Sequence, residues 1–309
     1  MRIVYFGSSD FSKIVLEEFF TRDIFPKLVI TNPDKPKGRG LKVTPTPVKS
    51  LARKYSLEVM TPKNLEDAEV IKKLKEIDSE LFVLVGYGKI IPSPLLKAPK
   101  IMPIALHPSL LPLYRGAAPI NWAIINGEKE TGVTIFKVRD KLDSGHIILQ
   151  RKIAIEHNDD ALIISVKLAK LGAELLFQAF SGIERNSYNL IPQDENRASF
   201  APKLQRKDGK ITWNKDAYSI RNLVRGLRGW PEAYTSYHDK IIKILEVDIE
   251  STESKEEPST IVKLDKNGIY VATARGILKI KKLKPQGKKE MDAHAFLCGH
   301  HLIVGEKFS

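Results

Sequence analysis

The feature that most narrows the fold is an alternation that runs through the first half of the chain. Short apolar runs of strand character are each followed by a segment of helical period. "RIVYFG" (2–7) reads as a buried strand, and "SSDFSKIVLEEFF" (8–20) opens on Ser and Asp capping candidates before its apolar residues fall at helical spacing. "KLVIT", "EVM" and "LFVLVGY" (81–87) continue the strands, and "TPVKSLARKYS" and "LEDAEVIKKLKEI" the helices between them. Strands alternating with helices predict a parallel, right-handed, doubly wound sheet. "IALHPSLLP" (104–112) is the next strand with its exit loop, "AAPINWAIING" a helix, and "GVTIFKV" with "GHIILQRKIAI" a hairpin-like return. "ALIISVKLAKLGAELLFQAFSG" (161–182) is a long amphipathic helix ended by a glycine.

The pattern changes after residue 182. Residues 183–206 are polar, proline-bearing and without period, and read as a linker. Beyond it, "ITW", "AYTSYH", "KIIKILEV", "STIVKL", "GIYVAT" and "GILKIKKL" are short strands divided by turn residues, with one helix at "KDAYSIRNLVRGL". That spacing predicts a small β-barrel over 207–309, beside an α/β domain over 1–182.

Composition removes several classes of function. The longest apolar stretch is broken by glycines and a lysine and falls short of a bilayer span, and the N-terminus enters a strand without a leader, so a cytoplasmic protein is expected. One cysteine, Cys298, without C-x-x-C pairs or His/Cys clusters, carries no internal disulfide and no metal signature. The phosphate-binding G-x-G-x-x-G is missing after the first strand, where "GSSDFS" stands, which disfavours a nicotinamide cofactor. A net charge of +13 favours a polyanionic partner, although solubility alone also explains such an excess. Its distribution bears on the choice: "RGILKIKKLKPQGKK" (275–289) alternates basic residues with Ile and Leu and holds no acid, as a basic strand face would.

His107 is the candidate for chemistry. An isolated histidine is as a rule structural, but this one sits at a predicted strand's carboxyl end, where open α/β sheets bind their ligands, between an apolar run and two prolines. "KLDSGHIILQ" offers Asp143 in a glycine-containing loop; a carboxylate beside an imidazole fixes its tautomer and raises its basicity.

Taken with "RIVYFGSSDF", "NPDKPKGRGLKVTPTPVK", "GYGKIIP", "HPSLLPLYRGAAPINWAI", "GVTIFKVRDKLDSG", "QDENRASFAPKL", "ITWNKDAYSIRNLVRGLRGWPEA" and "PQGKKEMDAHAFLCGH", the chain resembles the methionyl-tRNA formyltransferases over nearly its whole length. The resemblance implies a Rossmann-like formyltransferase domain and a C-terminal barrel similar to an OB fold. It also implies transfer of the formyl group of 10-formyltetrahydrofolate to the α-amine of initiator methionyl-tRNA, without a metal, by a protein expected to be a monomer. His107 would assist proton movement and polarise the formyl oxygen, Asp143 would orient it, and Ser109, Leu110, Leu111 and Pro112 would line the folate site. Tyr87 and Ile90 are either walls of the pterin site or core residues. The family pattern puts asparagine two residues before the histidine, where this chain has Ala105, and an acid where it has His146. Alternation along a strand would set that amide beside the imidazole as an oxyanion donor. Its loss leaves open a tRNA-binding paralogue impaired in catalysis, or another formyl-folate-dependent amine formyltransferase. For the tRNA, the resemblance points to Lys37, Arg39 and Lys42 in the proline-rich loop, and the basic stretch to Lys279, Lys281, Lys282 and Lys288 as phosphate contacts.

Overall fold

The computed structural model describes residues 1–37, 40 and 42–309, in two compact units. The first comprises residues 1–119, 130–154 and 165–202, the second residues 120–129, 155–164 and 203–309. In the first unit the strands are β1 (Ile3–Gly7), β2 (Leu28–Ile30), β3 (Lys35–Lys37), β4 (Lys42–Thr44), β5 (Val59–Met60), β6 (Leu81–Val85), β7 (Met102–His107), β8 (Arg115–Gly116), β9 (Glu130–Lys137), β10 (Ile147–Ala154) and β11 (Phe200–Ala201). Seven of them form one sheet in the order β10-β9-β7-β6-β1-β2-β5. The five strands from β7 to β5 are parallel, while β9 and β10 run antiparallel as the expected return. The strand order reverses between β1 and β6, so the sheet is doubly wound.

Every residue of β1 is buried, as a central parallel strand covered on both faces requires. The helices of this unit are α1 (Asp10–Phe20), α2 (Pro47–Lys54), α3 (Ala68–Ile77), α4 (Ser93–Leu96) and, for most of its length, α6 (Ala161–Glu184), while α5 (Pro119–Ile125) falls mostly in the second unit. Ser9 and Ser12 form a reciprocal capping box at the start of α1, and the Ser12 hydroxyl also donates to the Val85 carbonyl, stitching the helix to the end of β6. On one face Tyr5 meets Phe19 of α1 edge-on at 5.8 Å, and Phe19 meets Phe180 of α6 at 5.6 Å. On the other, Val4, Phe6 and Phe82 pack with Val70 and Leu74 of α3.

Two stretches carry more structure than their composition suggests. The proline-rich loop folds into a β3–β4 hairpin with Lys37 opposite Lys42, and Lys49 of α2 anchors its base by donating to both Asp34 oxygens at 2.8 Å. In the stretch read as a linker, Ile191 bridges to Ile147 and β11 pairs with β8. A polar, aperiodic segment gives no hydrophobic signal even when its backbone hydrogen bonds are satisfied by a neighbour.

The second unit contains β12 (Ala233–Tyr237), β13 (Lys240–Ser251), β14 (Ile261–Asp265), β15 (Gly268–Ala272), β16 (Ile277–Pro285), β17 (Met291–Asp292), α7 (Ala217–Gly226) and α8 (Ala293–Gly299). The sheet is antiparallel in the order β12-β13-β16-β15-β14, with β17 on β16. The last residues join its two edges. Gly305 and Glu306 exchange backbone hydrogen bonds with Ile261 at 2.8 Å, while Ser309 exchanges a pair with Ser236 at 2.9 Å. Phe308 is buried between them, stacked on Trp213 at 5.8 Å and beside Tyr237. Phe308→Ala is therefore expected to destabilise the second unit by about 3–5 kcal/mol, read as a lower thermal midpoint in calorimetry; an unchanged midpoint would remove the tail's role in closing the sheet.

Candidate active site

β7 delivers His107 to the carboxyl edge of the sheet, where the residue is 6% exposed. Its Nε2 lies 2.9 Å from the Tyr114 carbonyl and its Nδ1 3.7 Å from Oδ2 of Asp143. Both neighbours are acceptors, so a proton on either ring nitrogen has a place to point. The same Asp143 oxygen accepts the Gly116 N–H at 2.9 Å. Asp143 has φ +45° and Tyr114 φ +59°, so both sides of the pair rest on left-handed backbone that the surroundings must hold. Gly116 (φ +120°) is required where it stands, since a Cβ there would lie 2.7 Å from the Ala201 carbonyl.

The loop after His107 is held by side chains from three other segments. The Ser109 hydroxyl donates to the Leu113 carbonyl at 2.6 Å, and Thr134 of β9 donates to the Ser109 carbonyl and accepts from the Leu111 N–H. Gln150 of β10 donates to the Leu111 carbonyl and to the Thr134 hydroxyl. Leu111 is buried, and Leu110 packs over Gly132, where a Cβ would come within 2.4 Å of it. Leu111–Pro112 is a cis peptide. From the far side, the Ser199 hydroxyl accepts the Tyr114 N–H and its carbonyl accepts the Arg115 N–H.

Arg115 is 1% exposed. Its guanidinium reaches Oε1 of Gln193 at 2.7 and 3.1 Å and both carboxylate oxygens of Glu195 at 2.8 and 3.1 Å. Those hydrogen bonds, followed by one from Lys141, hold the Glu195 carboxyl down at about 2. A cleft of about 740 Å³ near the start of β7 is lined by residues of 93–103, by Lys137–Lys141, and by Ser144 and Glu195; His107, Asp143 and Ser109–Pro112 are not part of its lining.

The chain matches the formyl transferase family over residues 1–180 and the C-terminal domain of formyl transferases over residues 203–301. Over 309 residues it is 41% identical to the methionyl-tRNA formyltransferase of Staphylococcus aureus (strain bovine RF122 / ET3-1), covering 99% of each chain. It belongs to the methionyl-tRNA formyltransferase family. Solved structures share the fold at lower identity. The N-formyltransferase from Helicobacter canadensis, in complex with folinic acid and dTDP-3-aminofucose, superposes with a TM-score of 0.67 at 19% identity, over 91% of this chain and 99% of that one. HypX from Aquifex aeolicus superposes with a TM-score of 0.67 at 18% identity, over 97% of this chain, which spans 49% of HypX.

Against the family pattern, the structure brings together His107, Asp143 and the loop Ser109–Pro112, and leaves other expected residues apart from them. Tyr87 packs edge-on against Phe6 at 5.6 Å, and burial pushes its phenol up to about 12. Ile90 is 81% exposed. Ala105 is half-buried on β7, two residues before His107. Of the expected tRNA contacts, Arg39 lies outside the described residues, and Lys42 and Lys288 are exposed. The basic stretch is less bare than its own composition implies. On β13, Glu246 pairs with Lys281 at 2.7 Å and Lys282 at 3.0 Å, and Asp248 with Lys281 at 3.2 Å. The hydrogen bond from Lys281 is the main cause that holds the Glu246 carboxyl below its usual range. Lys279 stands 5.7 Å over the Tyr270 ring. Residue patterning missed Thr134, Gln150, Gln193, Glu195 and Ser199, and attached no role to Arg115; the family motifs that contain Arg115, Thr134, Gln193, Glu195 and Ser199 were the available signal.

Because Glu195 titrates lower in the folded protein than its ordinary 4.5, its pairing stabilises the fold above that pH and the stabilisation is lost as the pH falls toward 2. Glu195→Gln is expected to lower stability at pH 7, with the gap to the parent closing in acid; denaturant unfolding at a series of pH values measures that gap.

Proposed function

We propose that this protein transfers the formyl group of 10-formyltetrahydrofolate to the α-amine of initiator methionyl-tRNA, as a monomer in the cytoplasm. The observation that carries the reading is the His107–Asp143 pair at the carboxyl edge of the sheet, held by the Ser109–Pro112 loop, in a chain that aligns end to end with proteins of that name. Residues 1–182 would form the catalytic domain and residues 207–309 the tRNA-holding domain, joined by residues 183–206.

The chemistry asks for two things. The attacking amine loses a proton as its bond to the formyl carbon forms, and the folate nitrogen gains one as its bond to that carbon breaks. His107 is the group placed to take and return that proton, and Asp143 is the carboxylate that orients its ring and balances its charge. Ser109, Leu110, Leu111 and Pro112 line the folate site in this reading, with Tyr87 and Ile90 as its candidate pterin-side walls.

For the tRNA, Lys37, Arg39 and Lys42 serve the acceptor end, and Lys279, Lys281, Lys282 and Lys288 serve the phosphates. The ion pairs to Glu246 and Asp248 fit a surface that positions a backbone without reading bases: the carboxylates hold the ammonium groups in place while leaving them half-exposed.

Single-turnover formylation of initiator methionyl-tRNA tests the reaction. The parent is expected to formylate and His107→Ala to lose the activity. Ala105→Asn, which restores the amide of the family pattern, is expected to raise the rate, with a ceiling of about 10²–10³-fold for one oxyanion donor. A silent parent would overturn the reading. The double variant Lys281→Glu/Lys282→Glu is expected to weaken tRNA binding and flatten its dependence on salt; an unchanged slope would remove these lysines from the interface.

A further inference from the structure

Gln193 lies in the stretch that composition marks as a connection, yet all four of its side-chain hydrogen-bonding positions are used. Oε1 accepts from Nε and Nη2 of Arg115 at 3.1 and 2.7 Å, and Nε2 donates to the Asp143 carbonyl at 2.9 Å and the Gly145 carbonyl at 2.7 Å. One amide therefore ties the backbone on both sides of Ser144 to a buried guanidinium. Arg115 is itself immobilised, by Glu195 and by the pairing of its strand with β11, so the tie leads to a fixed point.

What the tie holds is strained. Asp143 is a non-glycine residue at φ +45°, and the Gly145 Cα passes so close to Lys137 that a Cβ there would collide with its carbonyl. Without the two amide hydrogen bonds the loop is free to relax, and the Asp143 carboxylate leaves the place where Oδ2 stands 3.7 Å from His107 Nδ1 and accepts the Gly116 N–H. Gln193 has no contact with the His107 ring among the described hydrogen bonds.

We propose that Gln193 is a positioning residue for formyl transfer, acting through Asp143. The inference rests on the reading of His107 and Asp143 given above. It adds that the geometry of this pair is set from a segment far along the chain. A misplacement of about 1 Å at a reacting group is enough to cost roughly 10²-fold in rate.

The test compares Gln193→Glu, which keeps an acceptor for Arg115 but presents oxygens to the two carbonyls, with Gln193→Met, which keeps the volume and removes the polar atoms. Each is assayed for kcat and KM toward methionyl-tRNA and 10-formyltetrahydrofolate across pH, beside Asp143→Asn and Asp143→Asn/Gln193→Met, with thermal melts on every variant. The expected result is a kcat lower by about 10–100-fold with KM changed by less than about threefold, together with a displaced limb of the pH–rate profile. In the Asp143→Asn background the second substitution is expected to add less than about threefold, because a group acting through Asp143 has nothing left to place. Full activity of Gln193→Met, a loss confined to KM, or losses that multiply in the double variant would each overturn the proposal. An inactive parent would overturn the formyl-transfer reading itself. If Gln193→Glu does not fold, Gln193→Met carries the comparison.

Discussion

A fully buried guanidinium has to be met by acceptors, because an unpaired charge in a low-dielectric interior costs several kcal/mol. Arg115 is that group here. Satisfying it brings Gln193 and Glu195 against the loop that follows His107, pairs β11 with β8, and through Gln193 fixes the loop that carries Asp143. The candidate site is thus assembled around a buried positive charge. Polar networks of this kind specify one arrangement only when every member is satisfied, and the four bonds of Gln193 meet that condition.

The second unit treats its charges in the opposite way. Lysines on β16 remain half-exposed, and the acids that pair with them on β13 are too few to neutralise the stretch 275–289. Exposed pairs of this kind contribute little to stability, so their value lies in the placement of the ammonium groups. The fold underneath depends on apolar packing, on Trp213 and Phe308 in particular, and on a tail that supplies backbone partners to two otherwise open edges.

Much of this was legible from residue order. The alternation of strand and helix periods predicted the parallel sheet, and the antiparallel return at β9 and β10 followed from two adjacent strand-like runs. His107 was placed at a strand end by its position after "IAL", and the structure puts it there. The β3–β4 hairpin was missed because prolines and glycines mask a three-residue ladder, and the structured part of 183–202 was missed because its bonds are made by polar atoms that carry no period. The acids that pair with Lys281 and Lys282 could not be read from the basic stretch, because they belong to a different strand.

By itself the sequence determined the layer architecture and the local address of each candidate group, since apolar period and turn chemistry are properties of neighbouring residues. Tertiary structure decided which addresses meet: Asp143 beside His107, Gln193 between Arg115 and the Asp143 loop, Glu246 beneath Lys281 and Lys282. Such contacts join residues that are distant along the chain, and they come into being only when sheet register and buried charge fix which segments lie side by side.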